Sequence, residues 1–138
     1  MTDLARRIFS DDKYATETTG ITIDSVTLDK VVCSLLLKPH HRNAKGAVMG
    51  GVLFTLADFA FAIAANSNLL PAVADGTDSL HWVSSSSSIH FLTQPKGDTI
   101  RAVSNCIRQG RNQALYQINI YDDFNRLVAL VNTSGSKI

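Results

Sequence analysis

Cysteine is scarce in this chain, and so is charge. Cys33 and Cys106 are the only cysteines in 138 residues. Two thiols so far apart make no disulfide framework, and half-buried strand cysteines in a reducing compartment are expected instead. Charged residues make up 18% of the chain, and 13 bases nearly cancel 12 acids to a net +1. That balance leaves no electrostatic footprint for a nucleic acid; the densest basic group is Arg101, Arg108 and Arg111. A low charge fraction also fits a surface partly buried between subunits, so an oligomer is expected. Residues Met1 to Ser10 carry acids and bases with no apolar run. No secretory signal is therefore expected, and the location expected is cytoplasmic. The longest apolar run, Ala47 to Ala65, opens on Gly50-Gly51, lacks basic flanks and holds Asp58 near its middle. A carboxylate there is costly in lipid, so the run reads as a buried helix of a soluble protein, with no membrane partner. The pair His40-His41 has no further ligand at a useful spacing, and no metal site is expected.

What is present suits one globular domain over residues 1–138, long enough to bury a core without disulfides or metals. Asp3 to Phe9 reads as a short amphipathic helix, with Leu4 and Ile8 on one face. From Gly20, Ile21 and Ile23 alternate with Thr22 and Asp24, and Val26 and Leu28 follow, which is the period of a strand. Asp29-Lys30 is a turn, Val31 to Lys38 a second strand, and Pro39 to Lys45 a polar loop. Gly51 to about Asn66 is the one long helix, apolar almost all round, so it must be covered on most sides. Beyond Pro71 and Gly76 the pattern is strand: Ser79 to Thr93, Thr99 to Arg108, Gln113 to Tyr121 and Leu127 to Ser136. Turn chemistry separates these four, at Pro95–Asp98, Gln109–Asn112 and Asp122–Asn125. The order predicts an α+β architecture: a curved antiparallel sheet wrapped around one central helix, with a short N-terminal helix.

Between Lys45 and Asp75 the only ionisable side chain is Asp58. An unpaired carboxylate in apolar surroundings costs several kcal/mol or shifts its titration, so its presence asks for a reason. Held in a partly dry site, it is a good general base or nucleophile. Gly50 and Gly51 stand at the helix N-terminus, where free backbone N–H groups meet the positive end of the dipole. Glycine lets a substrate carbonyl come close, which is the geometry of an oxyanion hole made of main chain. Eight residues of helix separate Gly50 from Asp58, roughly 12 Å along the axis. That is too far for one reacting carbonyl carbon within one subunit, but a site between two subunits bridges it. Other readings stand beside these. Asp58 suits a polar subunit interface, Gly50-Gly51 close helix packing, and Asn43 a loop or cap. The five serines Ser84 to Ser88 suit a flexible segment by composition, although Trp82-Val83 and Ile89-His90-Phe91 on either side favour an ordered strand. Arg108 and Arg111 by themselves are a solvated turn.

The constellation Asn43, Gly46, Gly50-Gly51, Leu56-Ala57-Asp58, Ala60 and Ala62 resembles the hotdog-fold thioesterases of the phenylacetate-pathway and 4-hydroxybenzoyl-CoA type. The likeness continues through Ser84 to Leu92, Pro95, Gly97-Asp98, Gly110-Arg111 and Leu127–Ala129, so it spans residues 20 to 135. The resemblance implies an acyl-CoA thioesterase acting on an aryl or short- to medium-chain acyl-CoA. Asp58 would activate water or attack directly, and the Gly50 N–H would polarise the carbonyl. Asn43 would orient the carbonyl or the water, and Ser84 would hold the water from the other subunit. Arg111 and Asn112 match the place where family members meet CoA phosphates. Gly51, Met49 and Phe61 fall in the substrate-binding region, with Phe54, Phe61 and Trp82 as candidates for the acyl pocket. The assembly implied is a homodimer, extended to a dimer of dimers. No cofactor is implied, since CoA belongs to the substrate. One position departs from the pattern: the family's usual histidine before the Gly-Gly pair is Met49 here, and methionine neither donates a strong hydrogen bond nor acts as an acid. A non-catalytic acyl-CoA binding or sensing protein is therefore the rival reading. A dehydratase, which leans on a His–acid pair, fits less well.

Overall fold

A computed structural model describes all 138 residues. Helix α1 (Thr2–Phe9) is followed by a π-helical turn, Tyr14–Thr19, then by β1 (Thr22–Val26) and β2 (Lys30–Leu36). The long helix α2 (Gly50–Asn66) and a short α3 (Leu70–Ala74) precede β3 (Trp82–Phe91), β4 (Thr99–Gln109), β5 (Gln113–Tyr121) and β6 (Leu127–Lys137). All six strands form one sheet in the order β1-β2-β4-β5-β6-β3, and every pairing is antiparallel. Helix α2 lies against β2, β3, β4, β5 and β6. This is the hotdog fold, a sheet curled round one central helix.

Strand alternation explains the wrap. On β5, Ala114, Tyr116, Ile118 and Ile120 point inward and are buried, while Leu115, Gln117, Asn119 and Tyr121 face outward. Strand β2 does the same with Val31, Cys33 and Leu35. Period-2 patterning on a curved sheet gives one apolar face, and α2, with Leu53, Leu56, Phe59, Phe61 and Ile63 buried, fills it. The segment Gly50–Ala74 is long and apolar enough to cross a membrane, but here it is the core helix of the sheet. Gly135 on β6 makes room for the Phe61 ring, because a Cβ there would stand 2.6 Å from its Cζ. Phe61 meets Tyr116 edge to face at 5.4 Å.

Several local features go beyond the sequence reading. Helical conformation continues past Asn66 through a 3-10 turn, Ser67–Leu69, into α3, with Pro71 in the first turn of that helix, where the missing N–H costs nothing. The loop after Lys38 begins with a 3-10 turn, Pro39–His41, and buries His41. Its Nδ1 accepts from the Lys38 N–H at 3.0 Å and its Nε2–H donates to the Thr19 carbonyl at 2.7 Å. Of the two cysteines, Cys33 is fully buried and Cys106 is exposed, so they are not alike as expected. Burial, then the charge of Asp24, pushes the Cys33 thiol up to about 12, which leaves it inert at neutral pH.

Two buried polar side chains tie elements together. Asn66, at the end of α2, donates to the Ala62 and Trp82 carbonyls and accepts from the His81 and Trp82 N–H groups, at 2.8 to 3.1 Å. Asp122 accepts from the N–H groups of Lys96, Phe124 and Arg126 and from the Arg126 guanidinium. Burial opposes its charge, but these hydrogen bonds outweigh it and hold the carboxyl well below the usual carboxylate range.

Candidate active site

The N-terminus of α2 is set by its approach loop. The Asn43 side-chain oxygen accepts from the Lys45 and Ala47 N–H groups at 3.0 and 3.1 Å, and Gly46 completes the turn at φ +83°. Arg42 and Val48 then bridge as an antiparallel pair. The Met49 N–H donates to the His41 carbonyl at 2.9 Å, and the Val48 N–H to the Gln94 side chain at 2.9 Å. Met49 is extended, at φ −63° and ψ 136°, and offers no side-chain cap. Its carbonyl accepts from Val52 and Leu53, while the N–H groups of Gly50 and Gly51 find no acceptor in the chain. These are the orphan donors of a helix start, pointing along the positive end of the dipole. Gln94 is in turn held by Arg126, which donates to its carbonyl at 2.8 Å. Gln94 does not stand out in the sequence, and His41 stands out only as a metal candidate, because what each holds is backbone far along the chain.

Asp58 lies two turns further along. It is half-buried rather than sealed in the core, and none of the chain's four ion pairs includes it. It opens onto a cleft of about 310 Å³ walled by Asp12, Tyr14, Ala15, Thr55, Phe59 and Ala62. Partial burial, then the charges of Asp11 and Asp58, push the Asp12 carboxyl above its ordinary pKa. A second cleft, about 360 Å³, adjoins the first along α2 and takes in Met49, Gly51, Val52, Thr18 and His40; Tyr14 and Thr55 line both. Gly51, Thr55, Asp58 and Ala62 share one face of the helix, as their spacing requires.

The other expected site residues fall elsewhere. Gly50 faces a third cleft, of about 400 Å³, with Phe91, Leu92 and Gln94, and the Phe91 ring lies against its Cα side. Arg111 and Asn112 line a basin of about 630 Å³ at the β4–β5 turn, beside Arg108 and Ser134. Ser84 is exposed on β3 at a break in its pairing with β6. Phe61 is only 1% exposed and faces Tyr116 and Gly135; in the single chain it is core, not the wall of a cleft. Trp82 is likewise buried, whereas Phe54 is partly exposed. No three His, Cys, Asp or Glu side chains are placed to share a metal ion. The chain alone therefore brings Asp58 to one cleft and Gly51 and Met49 to its neighbour along the same helix, and leaves Gly50, Ser84 and the Arg111–Asn112 pair apart from both.

An unpaired carboxylate facing a cleft, on a helix that begins with free N–H donors, is the equipment of a hydrolase acting on an acyl carbon. The family model of the thioesterase superfamily matches residues 45–129, the stretch that carries the end of the α2 approach loop, Asp58 and β3 to the start of β6. The chain belongs to the thioesterase superfamily, and it is a thioesterase. Among its relatives, acyl-coenzyme A thioesterase PaaI of Escherichia coli is 32% identical over 122 residues, covering 86% of this chain and 80% of the relative. The solved structure of the E. coli PaaI protein from the phenylacetic acid degradation operon superposes with a TM-score of 0.83 at 26% identity, over 99% of this chain and 95% of that one. A thioesterase from Haemophilus influenzae shares the fold, with a TM-score of 0.83 at 19% identity over 100% of this chain and 90% of its own.

Proposed function

We propose that this chain hydrolyses the thioester of an aryl or short- to medium-chain acyl-CoA to the free acid and CoA, as a cytoplasmic homodimer that pairs further into a tetramer. The single observation that carries the reading is Asp58: a carboxylate without an ion pair, half-buried on an apolar helix and open to a cleft. The acyl-CoA thioesterase name of the E. coli relative supports the substrate class. Asp58 acts on the thioester carbon as general base toward water, or as nucleophile. The oxygen of the tetrahedral species takes the Gly50 N–H, which has no acceptor of its own. Asn43 has committed its side-chain oxygen to the loop, so its amide NH₂ is the group left to orient the carbonyl or the water. Ser84 of the second subunit holds the water. Arg111 and Asn112, in their basin, meet CoA phosphates by charge and amide hydrogen bonds. No cofactor, nucleic acid or membrane takes part.

The test is thiol release from a panel of aryl-, short- and medium-chain acyl-CoAs by wild type and Asp58→Asn. Wild type turns over, and the variant loses about 100-fold or more in rate with an unchanged unfolding curve. An Asp58→Asn protein that hydrolyses normally refutes the mechanism. Met49 favours one second reading, a binder without catalysis. That reading requires both proteins to bind CoA esters and neither to release thiol.

A further inference from the structure

We propose that Tyr14 is a specificity-determining residue, the partition that limits how long an acyl chain the Asp58 cleft admits. This rests on the thioesterase reading above and adds to it where the acyl group lies. The thioester carbon has to meet the Asp58 carboxylate, and the space in front of that carboxylate is the cleft between α2 and residues 12–15. The acyl group leaving that carbon passes over Ala15, Phe59 and Ala62, the apolar part of the wall. Tyr14 and Thr55 stand where this cleft meets its neighbour at Met49, Gly51 and Val52. At about 310 and 360 Å³ each, either cleft alone sits at the lower end of small-molecule sites. Joined, they would form one groove along the helix.

The partition is well supported. Phe9 packs edge to face on Phe59 at 6.0 Å, anchoring the end of α1 beside Asp58. The Asp12 N–H donates to Phe9, and its carbonyl accepts from the Thr16 N–H and hydroxyl, each at 3.0 Å. At the far end, His41 holds the Thr19 carbonyl. Tyr14 is thus fixed in backbone between two anchors, while the residue is 66% exposed and its side chain can be trimmed without opening the core. Thr55 faces it from the helix, its hydroxyl turned back to the Gly51 carbonyl at 2.8 Å.

The experiment measures kcat/KM for acetyl-, butyryl-, octanoyl- and dodecanoyl-CoA in wild type, Tyr14→Ala, Tyr14→Phe and Thr55→Ala. Tyr14→Ala raises the ratio of long- to short-chain kcat/KM roughly tenfold. Thr55→Ala, on the opposite wall, moves it the same way by less, and stands in if Tyr14→Ala folds poorly. Tyr14→Phe, which keeps the ring, keeps the wild-type profile. If wild type hydrolyses acyl-CoAs and neither alanine variant changes the chain-length profile, the partition is refuted and the thioesterase reading survives. If wild type releases no thiol from these esters or from aryl-CoAs, both fall together.

Discussion

Met49 stands one residue before the free N–H of Gly50, 44% exposed and offering that helix start no side-chain cap. A thioether is at best a weak acceptor and no donor, so Met49 adds no donor to the free backbone N–H groups at this end of the helix. An imidazole in its place would add a donor beside the Gly50 N–H. Met49→His is therefore expected to raise kcat for acyl-CoA hydrolysis by up to about tenfold, short of what an optimised oxyanion donor contributes, with KM little changed; steady-state thiol release checks it. At this scale the sequence is legible where a residue is an anomaly. Asp58 shows because nothing else in its helix ionises, and Gly50-Gly51 because two glycines open an apolar run. Phe61 misleads because periodicity cannot tell an apolar residue facing a ligand from one facing a sheet; the glycine that accommodates its ring lies 74 residues away, at Gly135. Asn43 is legible as a loop residue, and its two backbone hydrogen bonds bear that out.

The elements were readable to within a residue or two wherever one period ran unbroken, as on β5 and α2. What the pattern does not carry is how elements are fastened, because those contacts are single polar atoms meeting backbone far along the chain. Asn66 reads as the last residue of a helix, yet its amide joins the end of α2 to the start of β3 through three hydrogen bonds and makes a fourth back to Ala62, with the residue 1% exposed. Removing it leaves two N–H groups and two carbonyls to find water that cannot easily reach them. Asn66→Ala is expected to destabilise the fold by about 2–4 kcal/mol, since several buried groups lose their partners at once. Urea unfolding followed by circular dichroism reads this as a lower midpoint with an unchanged slope. A loss under about 0.5 kcal/mol, the size of an ordinary surface change, would mean that β3 is held by its pairing with β6 alone. The π-helical turn over Tyr14–Thr19 was likewise hidden: its sequence, Tyr-Ala-Thr-Glu-Thr-Thr, has neither helical nor strand period, and it is held by Gly20 at φ +93° and by His41.

For the whole molecule, the sheet ends on β3, ten residues long with one edge unpaired. Around it Val83, Phe91 and Leu92 are exposed, as are Met49 just before α2 and Phe54 on it. An open edge beside exposed apolar side chains invites a second copy, and in the proposed dimer pairing there would bring the second subunit to Ser84 and to Phe91 beside Gly50. This addresses the spacing problem: Gly50 and Asp58 of one chain stand roughly 12 Å apart along the helix, but groups from two chains can converge. The claim is separable from catalysis by mixing variants. Gly50→Pro removes the donor N–H at a helix position that tolerates proline, after a residue already in the extended region that proline demands; the Phe91 ring, 56% exposed, has room to yield. Asp58→Asn removes the carboxylate. Each homodimer is expected to be inactive. Co-refolded in equal amounts, half of the dimers are mixed, and each mixed dimer has one site with both groups intact and one with neither. The mixture then recovers about a quarter of the wild-type rate, as a two-fold dimer with shared sites requires. If both groups came from the same chain, every site would carry one defect, and mixing would recover nothing.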